Sequence, residues 1–100
     1  MHKLILLFKA PDDIESFEAA FAAQHVPAIT TMPGLRRAAV TRGIAGPRGP
    51  APYHLIHELY FDSLEDMRAG LESPEGRNAG ATLLAIARDC VEIMFAETWE

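Results

Sequence analysis

The side chains able to do chemistry in this chain are few, and the four histidines come first. Ile14, Phe17, Phe21 and His25 fall within an arc of roughly 80° on a 3.6-residue repeat, so His25 continues an apolar helical stripe. Its ring is then expected to point toward the layer on which the stripe packs. An imidazole so placed has two readings. It is a half-buried ring bonded to a backbone carbonyl or a tyrosine hydroxyl, or it is a general acid/base or polar anchor for a ligand oxygen at the end of an apolar pocket. His57 lies in the run YHLIHELYF, where alternation sets Tyr53, Leu55, His57, Leu59 and Phe61 on one face and His54, Ile56, Glu58 and Tyr60 on the other. His57, Tyr53, Phe21 and Tyr60 are therefore the candidate ligand-lining residues beside a candidate catalytic His25.

Other chemistries find less support. His54 and His57 are three apart on an extended run and so face opposite ways. No His-x-x-x-His or carboxylate–histidine cluster occurs, and no metal is expected. Arg36, Arg37, Arg42 and Arg48 are concentrated, but Arg36 and Arg37 point to opposite sides of a strand and imply no single anion site. Gly43, Gly46 and Gly49 sit among prolines ahead of a strand, not a helix, and make no nucleotide-binding loop. No nucleophile elbow is present. Cys90 has no basic neighbour to lower its pKa and reads as a reduced core or strand-edge residue.

The elements that must position these groups follow from the period of the apolar residues. Residues 2–9 form a strand apolar on both faces. After Pro11, Asp12 with Glu15 opens a helix whose last turn Pro27 disturbs and which Pro33-Gly34 ends. Residues 35–43 are a second strand, 44–52 a loop, and 53–61 a third strand. Ser63 with Asp66 opens a helix, Ser73-Pro74 restarts one, and residues 91–99 close the chain as a strand carrying Val91, Ile93, Phe95 and Trp99 on one face. The order is β-α-β-β-α-β, two strand–helix–strand halves without sequence identity. This is a ferredoxin-like α+β domain over residues 1–100, an antiparallel four-stranded sheet with helices on one face.

Composition sets the remaining bounds. Nine basic against fourteen acidic residues give a net charge of -5, a poor match to nucleic acid or an anionic membrane. The one cysteine excludes an internal disulfide, and the Leu4–Phe8 run is too short to span a membrane and lacks the small-residue cleavage site of a secretory signal, so the cytoplasm is the expected location. Apolar residues make up 49% of a small, surface-rich chain. Strands one and three are apolar on both sides, so the sheet face without helices is expected to be buried against a second copy in a two-fold homodimer.

Several segments together resemble the EthD family, named for ethyl tert-butyl ether degradation, within the dimeric α+β barrel superfamily. They are His25-Val26-Pro27, Met32-Pro33-Gly34-Leu35, Pro52-Tyr53-His54, Leu59 to Glu65, and Leu71-Glu72-Ser73-Pro74-Glu75-Gly76. The resemblance spans nearly the whole chain. It implies a ferredoxin-like subunit that dimerises through its sheet and maps the family's His-x-Pro histidine onto His25. Superfamily relatives include cofactor-independent oxygenases, muconolactone isomerases and haem-degrading enzymes, but the haem-degrading pattern of asparagine, histidine and tryptophan is not in order here. One departure concerns Thr82, which stands where relatives often carry an aspartate that could partner the histidine. The expected function is binding of a small apolar or aromatic molecule, with cofactor-free proton transfer, isomerisation or oxygenation of a phenolic or enolic substrate if the protein is catalytic. The alternative is a non-catalytic accessory or ligand carrier of the same fold.

Overall fold

A computed structural model describes residues 1–99. Four strands, β1 (His2–Phe8), β2 (Arg37–Arg42), β3 (Leu55–Phe61) and β4 (Val91–Glu97), form one antiparallel sheet in the order β2-β3-β1-β4. Helical segments α1 (Ile14–Ala20), α2 (Val26–Thr30), α3 (Leu64–Glu72) and α4 (Pro74–Ala87) connect the strands. The register Leu4↔Leu59, Leu6↔His57 and Phe8↔Leu55 aligns one face of β1 and β3, and every one of these side chains is buried. They meet Phe17, Phe21, Ile29, Met67, Ala79 and Leu83 from the helical layer in a single core. This is the ferredoxin-like α+β fold expected from the sequence.

The helix starts have local causes. The Asp13 carboxylate, one residue beyond the expected cap, accepts the Ser16 amide at 3.0 Å and opens α1. Ser63 and Ser73 accept the amides of Asp66 and Gly76, each at 3.0 Å, and Pro74 takes the first-turn position of α4. Gly76 is required by packing: a Cβ there would run into the Gly70 carbonyl oxygen and meet that of Leu71 at 2.7 Å. The end of α3 and the start of α4 can cross this closely only over a glycine.

Two expectations change, and a third gains its geometry. The disturbance expected at Pro27 is a π-helical turn just before it. Residues Phe21–His25 form a π-helical turn, in which the Val26 amide reaches back to the Phe21 carbonyl, and the chain continues through Pro27 to Thr30. The wider turn gives room for a residue that lacks an amide donor and would crowd a regular helix. Ile14, placed on the apolar stripe, is 46% exposed because it lies in the first turn, outside the layer. The third alternation fails at its start: β3 begins at Leu55, after a bend at His54. His54 bonds Glu18 of α1 at 2.7 Å, so it lies on the helical side together with His57, not opposite it. Tyr53 instead donates to Glu92 of β4 at 2.7 Å.

The helix-free face carries Ile5, Leu7, Ile56 and Tyr60, all partly buried, with Met94 48% exposed. At its centre the Lys3 ammonium meets the Glu58 carboxylate at 2.6 Å, a contact that holds the lysine pKa above its ordinary value. Trp99 lies beyond β4 and is 93% exposed. Among the described residues, no helix is long and apolar enough to cross a membrane.

Candidate functional site

The π-helical turn is what places His25. In a regular helix each step of four residues turns a side chain onward by about 40°. The wider turn reverses that drift, so His25 stacks beneath Phe21 with ring centroids 5.1 Å apart. From the sheet, His57 projects between Leu55 and Leu59 into the same layer. The two imidazoles meet edge to face at 5.2 Å between centroids, and Nε2 of His25 lies 3.2 Å from Nδ1 of His57. Phe21 packs against both rings, and Phe8 against Phe21 and His25.

Both histidines are 1% exposed. Burial among aromatic rings pushes each pKa down to about 4, and for His25 the neighbouring His57 adds to the effect because a charge on one ring would repel a charge on the other. At neutral pH the pair is uncharged and shares one N–H. If His25 donates from Nε2, its Nδ1 is a bare acceptor. If His57 donates instead, His25 must carry its proton on Nδ1. Nδ1 of His25 is buried and has no hydrogen-bond partner among the described residues. An orphaned buried donor is rarer than an under-used acceptor, which favours the first arrangement.

A cavity of about 240 Å³ lies beside this pair, between the helical layer and strands β1 and β4. Leu4, Leu6, Ile29, Met32 and Leu83 line it with His25, and Ile93 and Phe95 border it from β4. No charged side chain is among the described residues on its wall. Ile93 and Phe95 share the buried face of the sheet through their pairing with Leu6 and Leu4, yet are 52% and 50% exposed. The helices do not reach the β4 edge, and the gap is this cavity.

The candidate residues therefore separate. His25 lines the cavity, His57 holds His25 from behind, and Phe21 backs both. Tyr60 is on the other face of the sheet, with the Arg37 guanidinium 3.9 Å from its ring centroid and the Lys3 ammonium at 5.4 Å. Tyr53 is committed to Glu92. Thr82 bonds the Asn78 carbonyl within α4 and is absent from the cavity wall, and the partner of His25 is His57. The wall contributed by α4 was not anticipated, although the small residues of Gly76-x-x-Ala79-Gly80 fall on one helical side and gave a signal for it. Burial and Asp89 push the Cys90 thiol pKa up, away from a nucleophile's range. No group of three or more His, Cys, Asp or Glu among the described residues is placed to hold a metal ion.

Fold and cavity together define a ferredoxin-like α+β domain with an apolar pocket under its helices and a neutral histidine in the pocket wall. The EthD domain model matches residues 9–96, and the chain belongs to the EthD family. It is similar to a crystallised EthD-family protein of Bacillus halodurans C-125, at 30% identity with 99% of each chain covered and a TM-score of 0.96. An uncharacterized 11.0 kDa protein of the thcB–thcC intergenic region of Rhodococcus erythropolis is 26% identical over 97 residues, 97% of this chain and 94% of that protein. The fold also matches SnoaB, a cofactor-independent oxygenase of Streptomyces nogalater, at 15% identity with a TM-score of 0.71 over 99% of this chain and 93% of that one.

Proposed function

We propose that this protein binds a small, uncharged apolar or aromatic molecule in the pocket beside His25, with one ligand oxygen placed at that imidazole. The observation that carries this reading is Nδ1 of His25, a buried polar atom without a partner among the described residues, on a ring that lines an otherwise apolar cavity. The pocket is small for a drug-sized ligand and suits a molecule of one or two rings.

The same geometry limits the chemistry. With a pKa of about 4, His25 is a strong enough acceptor to orient a hydroxyl, but taking the proton of an ordinary phenol of pKa about 10 costs roughly 8 kcal/mol. Proton transfer is thus reserved for activated enols or phenols whose own pKa lies far lower. Loss of that proton leaves an electron-rich enolate or phenolate, the species that isomerises or reacts with dioxygen without a cofactor. The fold likeness to a cofactor-independent oxygenase supports this direction. For substrates of ordinary acidity the pocket retains a ligand and does not convert it, which is the carrier reading.

The test is calorimetric titration with 4-methylphenol. His25→Ala is expected to weaken binding about tenfold, the worth of one buried hydrogen bond, while the variant stays folded. Unchanged affinity would overturn the role given to His25.

A second copy of the chain covers the helix-free sheet face in this account. The partly buried Ile5, Leu7, Ile56 and Tyr60 supply the apolar contact, and the Lys3–Glu58 pair is already neutralised within one chain. Sedimentation at micromolar concentration is expected to give twice the 11.0 kDa chain mass. A monomer at that concentration would contradict it.

A further inference from the structure

Two glycines four residues apart on α4 both line the pocket, and their surroundings differ. Gly76 cannot carry a Cβ because backbone carbonyls of α3 occupy the space. At Gly80 a Cβ would meet nothing within 4 Å among the described residues. Its φ is not in the left-handed region, so the backbone does not require glycine either. A glycine inside a helix is unfavourable relative to alanine, because the unfolded chain loses more freedom on ordering it. Neither packing nor conformation accounts for Gly80, and a further property of the position is the open space it leaves at the pocket wall. That wall is followed by the half-exposed Ile93 and Phe95 of β4, so the pocket opens to solvent on this side.

We propose that Gly80 is the specificity-determining position of the pocket: the missing side chain sets the width between α4 and β4 and admits a ligand of two fused rings. This rests on the reading that the pocket binds a small uncharged molecule. The second observation pointing to a ligand is His25, a ring on the same cavity wall whose buried Nδ1 has no partner among the described residues. A Cβ at residue 80 narrows the space without coming within 4 Å of the histidine pair.

The probes are 4-methylphenol and 1-naphthol, titrated into the wild type, Gly80→Ala and Gly80→Leu, with thermal denaturation of each protein. Gly80→Ala is expected to raise Tm by about 4 °C, since it gains helix propensity and meets no clash. It should also weaken 1-naphthol at least threefold and leave 4-methylphenol within twofold. Gly80→Leu should weaken 1-naphthol more than tenfold with less than a threefold change for 4-methylphenol. A lower Tm for Gly80→Ala would make the glycine structural and overturn the proposal, as would equal changes for the two phenols. Wild type that takes 4-methylphenol but not 1-naphthol would place the size limit elsewhere, again against the proposal. Wild type that binds neither would overturn the pocket reading itself and the role of Gly80 with it. Should Gly80→Leu fail to fold, the alanine variant decides alone through its paired rise in Tm and loss of 1-naphthol.

Discussion

Between pH 6.5 and 4 this protein is expected to lose a large part of its stability, and the loss is expected to come from the buried histidine pair. In the unfolded chain a histidine has a pKa of about 6.5, whereas in the fold His25 and His57 are held down to about 4. Over that window the unfolded state binds more protons than the folded one, so stability is full above pH 6.5 and falls as pH drops toward 4. The difference corresponds to about 3 kcal/mol for each histidine, and two of them approach the whole stability of a small domain. The carboxylates do not share the window. Asp13, Glu18 and Glu92 are held below their ordinary values by hydrogen bonds from Ser16, from Arg42 and His54, and from Tyr53 and Lys9 respectively, so their contribution is lost only at lower pH. Urea denaturation at pH 7 and pH 4.5 should show the drop, and His57→Phe should reduce it by about half. Equal stability at both pH values would mean that the pair is already protonated or solvated in the fold.

The second large effect is discrimination against charged ligands. Among the described residues the pocket wall has no cation, and both imidazoles are neutral at pH 7. A carboxylate entering it must either remain an unpaired buried charge or bring a proton, whether that proton rests on the carboxyl or on His25. For an acid of pKa about 4.3, proton uptake at pH 7 costs about 4 kcal/mol. An isosteric phenol avoids that cost and satisfies Nδ1 directly. The same reasoning makes carboxylate affinity rise as pH falls toward 5.

Much of this arrangement was legible in the residues. Strand periods gave the β-α-β-β-α-β order, and the Phe17–Phe21–His25 spacing placed an imidazole in the core. Where legibility failed, a local departure from regular geometry was responsible. The π turn before Pro27 and the bend at His54 each shift the phase of a periodic pattern, and a pattern cannot report its own phase shift. The bend moved His54 to the side of His57 and took Tyr53 away from it. The excess of apolar residues was also divided differently. Part of it is on the helix-free face, in Ile5, Leu7, Ile56 and Tyr60. Another part, Ile93 and Phe95, borders the pocket on the helical side. Alternation alone assigns a residue to a face, but it does not say whether the helices reach far enough to cover it. The bond between His25 and His57 joins residues 32 positions apart, and no local spacing encodes it.

The central claim is an apolar pocket whose polar contact is a neutral histidine, and one measurement tests it most directly. Calorimetric titration at pH 7 of the wild type with 4-methylphenol and, separately, with 4-methylbenzoate compares the same ring bearing an uncharged and a charged group. The phenol is expected to bind at least a hundredfold more tightly. Equal affinity, or a preference for the carboxylate, would contradict it.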